Sequence, residues 1–502
     1  MIAKRAGLER PWVLPMAIGL SLLASAPRAG AEAAETGPDV LEALVRIDVA
    51  AAVPNPGAPW QKEVESVSGS GVILGGGKIL TNAHVVANRV HVEVRRAGRS
   101  RRWPARVLFA GHGADLALLT VDDASFFEGI AAFPMGRMPR VRERVDVYGF
   151  PVGGESDSVT SGIVSRVEVQ PLVHSGVEVL QVQIDAPLNP GNSGGPVVAS
   201  GGLAGIAAQE LEDAESVGYI IPVPVIRQFL DDLADGKCDG LPDLGIELQP
   251  VENEAHRGFL GLREGESGGL VTAVQHGGAA DGTLEAGDVL LSIAGKPLAE
   301  DLSVALEGTG PVLFTHLVRS HQVGDTIPVS FLRRGERRQA RVVLGTLERL
   351  VPGPRYDREP TYLILGGLVF VPLEHDYLDA CGDEMPSNLV DIEDFQNVVT
   401  AERREVPVLS RVLAHDVNLG YDAFANLVVR TANGVVPRDM KHLASILDGA
   451  AGTSIEFVFD DRSRLVLDVG AARASLPEIL REYGIPADRS RDLRRNGERG
   501  TR

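Results

Sequence analysis

Cysteine is nearly missing from this chain. Its 502 residues hold two, Cys238 and Cys381, far apart in sequence. Two isolated cysteines make no disulfide framework, and neither reads as a metal ligand or a catalytic thiol. The eleven histidines show no ligand-like spacing, so no metal or other cofactor is expected. Positive charge is in deficit, with 49 Lys and Arg against 68 Asp and Glu, a net charge of −19. Phosphate backbones repel so acidic a chain, and nucleic acid is excluded as a natural partner. No glycine-rich loop runs into Lys-Ser or Lys-Thr, so there is no sign of an ATP site. Beyond the N-terminal region no apolar run is long enough to span a bilayer. With 44% hydrophobic and 23% charged residues, the composition nonetheless belongs to an ordered globular chain.

What the chain does have begins with its N-terminus. Lys4, Arg5 and Arg10 precede a short apolar stretch, Trp12 to Ala26, and Ala29-Gly30-Ala31 offers small residues for cleavage. Residues 1–31 read as a secretory signal removed after Ala31; if retained, they would be an anchor. They carry a net +3, so the remainder is more acidic still. Glycine and proline are abundant, at 57 and 31. From Leu44 to about Pro222, short β-rich runs alternate with turns, which predicts an all-β barrel or sandwich. A helix follows, with Val225, Ile226, Phe229, Leu230 and Leu233 on one face, Pro224 near its start and Asp235-Gly236-Lys237 at its end. Two further units follow. One runs from about 241 to 347 and the other from about 358 to 472, with the order of pieces in the second loosely repeating the first. The residues after Asp488 carry six arginines and read as a solvated tail.

Three segments carry chemistry. In Gly191-Asn192-Ser193-Gly194-Gly195-Pro196, a serine stands among glycines. A hydroxyl becomes a nucleophile when a base takes its proton, and the oxyanion that forms needs N–H donors. A glycine two residues earlier lets the N–H groups of Gly191 and Ser193 point to one spot, while the glycines after the serine are expected to keep the substrate path clear. In Thr81-Asn82-Ala83-His84-Val85-Val86, a histidine follows an apolar strand. In Ala114-Asp115-Leu116-Ala117-Leu118-Leu119, an aspartate lies in an otherwise apolar strand, an expensive placement without a partner. Each segment alone reads equally as a turn, a structural histidine or a cap. Together, in the order His, Asp, Ser, they match the arrangement of the chymotrypsin scaffold.

The segments TNAHVV, ADLALL and GNSGGP resemble the catalytic motifs of the HtrA/Deg serine proteases, and the resemblance covers nearly the whole chain after residue 31. Gly149-Phe-Pro-Val-Gly153 and Val412-Leu-Ala-His-Asp-Val-Asn-Leu-Gly-Tyr421 most resemble the plant-type Deg branch. The implied fold is mainly β: a chymotrypsin-like double β-barrel protease domain over 32–237, then PDZ-like α+β domains over 238–350 and 355–472, with a tail over 473–502. The resemblance makes His84 the general base, Asp115 its orienting acid and Ser193 the nucleophile, and puts Asn192 beside Gly191 and Ser193 at the oxyanion hole. Leu188, Ile206, Ala207 and Ala208 would line an S1 pocket for a small or medium aliphatic residue. Glu210, Glu212, Asp213 and Glu215 form an acidic run near that pocket, equally readable as a solvated turn. Leu244-Gly245-Ile246 and Leu365-Gly366-Gly367-Leu368 would hold peptide carboxylates. An insertion around His375–Arg404 sets the last unit apart, so one or both grooves are expected to be filled by the protein itself. The implied activity is ATP-independent endopeptidase action on unfolded or damaged proteins in the bacterial periplasm, by trimers or multiples of trimers. The alternative is a chaperone or peptide-binding scaffold whose protease domain rests.

Overall fold

A computed structural model of the chain describes residues 40–151, 156–210, 217–382 and 386–494. The expected signal segment and cleavage site at Ala31 lie outside the described residues, as do Glu212, Asp213 and Glu215 and the side chain of Glu210.

The region before residue 240 is two antiparallel β structures. The first is a seven-stranded sheet whose edge strands, Trp103–Pro104 and Arg106–Gly111, are consecutive in the chain with only Ala105 between them, so the sheet curls back on itself. Its long strand Leu44–Pro54 pairs along its whole length with residues 62–72 of the next strand, Lys62–Leu74. Every second residue faces inward, so Val45, Ile47, Val49 and Ala51 are buried. The second is a closed six-stranded barrel. Its interior is filled by Val145, Val147, Val164, Val182, Ile184, Val197 and Ile220. The helix expected next is present as Val223–Asp232. A 3₁₀ turn extends it to Asp235, and Gly236, at φ 87°, ends it.

The next unit is an antiparallel sheet in which Ile246–Pro250 forms one edge. Its last hairpin, Thr326–Arg333 with Glu336–Val343, turns through Arg334 and Gly335, both at positive φ, the conformation that matches strand twist in a two-residue turn. The final unit is a six-stranded sheet from Leu363–Leu365 to Arg464–Asp468, with the helix Met440–Gly449 packed on it. The expected insertion is two helices, His375–Cys381 and Ser387–Phe395.

This last unit does not stop at residue 472. A helix, Val469–Glu482, continues from its last strand and buries Val469, Ala472 and Ile479. The chain then returns as an extra partner for Leu363–Leu365, where Ile364 donates to the Asp488 carbonyl and Ser490 to the Tyr362 carbonyl. Arg489, read from sequence as part of a solvated tail, makes two 3.0 Å bonds to the Asp448 carboxylate. Both cysteines are free thiols. Among the described residues no helix is long and apolar enough to cross a membrane.

Candidate active site

The apolar strand Lys78–Thr81 delivers Asn82 and then a single turn of helix, Ala83–Val86, which carries His84. Asp115 is not inside a strand, as its apolar neighbours led one to expect. It stands just before Leu116–Thr120 at the end of a 3₁₀ turn, in the left-handed region at φ 51°. That turn aims the carboxylate away from the strand direction and at His84. One oxygen accepts the His84 N–H at 2.8 Å and the other meets His84 Nδ1 at 2.8 Å. The Asp115 carbonyl accepts from Asn82 Nδ2 at 2.9 Å, which fixes the backbone as well. Asp115 is 2% exposed, while the His84 side chain is 30% exposed.

Charge follows from that contact. Burial opposes ionisation of both groups, but each is the other's counter-charge. The Asp115 carboxyl is held below its ordinary range by His84, and His84 is held above 6.5 by Asp115. With Nδ1 committed to the carboxylate, Nε2 is left as the basic nitrogen.

Ser193 arrives from the other barrel, in the turn before Pro196–Ala199. The tie between barrels is Ser70, whose role the sequence did not signal. Its N–H donates to the Ser193 carbonyl at 2.8 Å, and its hydroxyl donates to the Gly191 carbonyl at 2.7 Å. That hydroxyl also accepts the Phe150 N–H at 2.9 Å, and Thr81 Oγ1 donates to the Ser70 carbonyl at 2.7 Å. A Cβ at Gly69 would collide with Val85, next to His84, and press close on the Ser193 carbonyl, so the base and nucleophile loops converge there.

The glycines after the serine act differently from expectation. A Cβ on Gly194 would collide with the Ser70 carbonyl and Thr81, and one on Gly195 with the Tyr148 carbonyl. They let the nucleophile loop seat against neighbouring strands; they do not clear a substrate path. Gly191, at φ 97°, sets the turn. Among the described residues the N–H groups of Gly191 and Ser193 meet no acceptor. Asn192 is no such donor: its N–H is spent on the Asn189 carbonyl at 2.9 Å, and its side chain is buried beside Gly149. The Ser193 hydroxyl bonds the Ala208 carbonyl at 3.4 Å and, among the described residues, makes no bond to the His84 ring.

The four residues expected at S1 do not share one surface. Leu188 and Ala207 belong to the apolar cluster inside the closed barrel, while Ile206 and Ala208 belong to the larger cluster that includes the first sheet; along Gly202–Glu210 neighbours face opposite ways. The expected carboxylate cradles are also changed. The Gly245 N–H is taken by the chain's own Asp243 carboxylate at 2.8 Å, which Arg319 also contacts at 3.2 Å. Leu365-Gly366-Gly367-Leu368 is a tight hairpin turn, so the strand Leu368–Pro372 is paired on both sides and offers no edge. Asn418 Nδ2 staples that turn by donating to the Gly366 and Leu413 carbonyls.

The trypsin-like peptidase domain family matches residues 69–206, and the PDZ domain family matches residues 351–492. Protease Do-like 2, chloroplastic, of Arabidopsis thaliana is 37% identical over 465 residues, covering 90% of this chain and 75% of that protein. Putative protease Do-like 3, mitochondrial, of the same plant is 34% identical, covering 90% of this chain and 80% of that protein. An alanine variant of the HtrA-type protease AlgW with decapeptide shares the fold, with a TM-score of 0.50 at 24% identity over 63% of this chain and 95% of that one. The chloroplastic and mitochondrial names among these relatives overturn the bacterial periplasm as the expected compartment.

Proposed function

Since the chain belongs to the HtrA/Deg family of serine endopeptidases, we propose that it degrades unfolded or damaged proteins without ATP, using Ser193, His84 and Asp115. Ser193 attacks the scissile carbonyl while His84 Nε2 takes its proton, and Asp115 stabilises the imidazolium. The Gly191 and Ser193 N–H groups bind the oxyanion. His84 then protonates the leaving amine, and water releases the acyl-enzyme. The Ala208 carbonyl, 3.4 Å from the hydroxyl, is proposed to accept the N–H of the residue before the cut. That residue is proposed to be small or medium and aliphatic.

The observation that carries this reading is the double grip of Asp115 on His84, one oxygen on the backbone and one on the ring. A structural histidine has no need of both. A second reading is favoured by one feature: the Ser193 hydroxyl turns to Ala208, as in a resting enzyme whose peptide-binding units act as a scaffold. Cleavage of casein by the wild type and not by Ser193→Ala supports the first reading; inertness of both, with retained binding of unfolded protein, supports the second. Assembly into trimers or their multiples is part of the proposal and is read by light scattering. The last PDZ-like unit, with its groove strand already paired, is proposed to serve assembly and not substrate capture.

A further inference from the structure

A second imidazole lies against the catalytic one. His174 stands in the turn between the strands Ser158–Pro171 and Glu178–Ile184 and is 8% exposed. Its ring centroid is 5.9 Å from that of His84, with the planes at 56°. His174 Nε2 is 2.9 Å from His112 Nδ1, and His112 Nε2 is 3.2 Å from Asp357 Oδ2. Asp357 and its neighbour Tyr356 belong to the segment that leads into the last PDZ-like unit. Tyr356 stacks on His174 at 4.0 Å and 20°, and its hydroxyl donates to the His174 carbonyl at 2.6 Å. Asp357 is latched further: its carboxylate pairs with Arg89 and accepts the Asn88 N–H at 2.8 Å, and its own N–H donates to Asn88 Oδ1 at 2.9 Å.

The direction of these hydrogen bonds follows from the acceptor at the end of the chain. The Asp357 carboxyl sits at about 2, since His112 and Arg89 outweigh its burial, so it is an anion that only accepts. In the tautomer of His112 that carries its proton on Nε2, toward Asp357, the Nδ1 lone pair accepts the Nε2–H of His174. Burial pushes His174 down to about 4, with Asp115 and Asp357 opposing and His84 and His112 reinforcing, so it stays neutral. A neutral ring there puts no like charge against the imidazolium that forms on His84.

We propose that His174 is a positioning residue for the His84–Asp115 pair, held in one orientation and one tautomer by His112 and Asp357, so that the segment entering the last PDZ-like unit is coupled to the catalytic base. The consequence for turnover rests on the protease reading above; the coupling itself does not. The groups that face His84 are Asp115 and His174, and those that face His174 are Asp115, His84, His112, Tyr356 and Asp357.

The test is a pH titration of His84 in the full chain labelled at histidine Cε1, followed by NMR and assigned with His84→Gln. Asp357→Asn keeps the shape of the latch and removes one negative charge. It is expected to lower the His84 pKa by about 0.3 to 1 unit, the size of a single partly screened charge, with most of the shift carried through His112 and His174. His174→Phe keeps a ring on Tyr356 but cuts the chain, so Asp357→Asn in that background should move His84 by less than half as much. His112→Phe takes its place should melting curves show His174→Phe unfolded. A His84 pKa unmoved or raised by Asp357→Asn, or lowered equally in both backgrounds, overturns the proposal. Casein cleavage is followed in parallel: an inert wild type with the expected titration sinks the protease reading alone, and an active one with an unresponsive His84 sinks this inference alone.

Discussion

At the residue scale the site is an arrangement of charge. Because His84 must be neutral to act as base while Asp115 holds its pKa above 6.5, activity is lost on acidification through a point above that value. The acid limb of kcat/KM for a peptide substrate is therefore predicted above pH 6.5; a limb below it would mean that Asp115 does not govern the base. Asp115→Asn keeps the size of the side chain and removes the charge, and it permits the wrong tautomer of His84. A loss of about 10⁴-fold in kcat is expected, the size of this effect on the chymotrypsin scaffold. Gly194→Ala would put a methyl group into the Ser70 carbonyl at a positive φ. A loss of about 2 kcal/mol or more in urea unfolding is predicted, together with loss of cleavage. His84, Asp115 and Ser193 were legible in sequence because each sits in a short local motif with a distinct chemistry. Ser70 was not, because its work is done on Gly191, 121 residues away, and nothing local marks it.

Elements show the limits of local reading more sharply. Periodicity placed the helix Val223–Asp232 and its glycine stop close to where they fall. It failed after residue 472. The arginine-rich end read as a solvated tail, whereas the helix Val469–Glu482 and the pairing of Asp488 and Ser490 with the edge of the sheet are held by tertiary contacts. The paired state of Leu368–Pro372 was equally hidden, since a tight turn and an open loop share the same glycines. Asn418 sets that turn with two donated bonds from a side chain 2% exposed. Asn418→Ala is predicted to cost about 2 to 3 kcal/mol, from two lost bonds and carbonyls left unpaired. A change under about 0.5 kcal/mol in chemical denaturation would show that the turn holds itself.

Over the whole molecule, the two PDZ-like units differ in what they leave open. The first keeps Ile246–Pro250 as an edge, although Asp243 takes the Gly245 N–H; the second has no free strand beside its hairpin. A peptide with a hydrophobic C-terminus is therefore expected to bind the Ser193→Ala chain at the first unit alone. Calorimetry should give one site per chain, removed by disrupting the edge strand Ile246–Pro250 and untouched by substitutions at Gly366 that still fold. Two sites per chain would show that the hairpin opens. The segment 355–358 ties the second unit to the protease barrels through Asn88, Arg89 and His112, a connection that no motif announces because its partners lie more than 240 residues apart.

The most direct test of the central claim is casein degradation by purified protein lacking residues 1–31, with the Ser193→Ala variant beside it. The wild type is predicted to cleave, and the variant to lose at least about 10³-fold of that rate while melting at the same temperature. Equal cleavage by both would place the nucleophile elsewhere, and no cleavage by either, on heating and with hydrophobic C-terminal peptides present, would contradict the protease account.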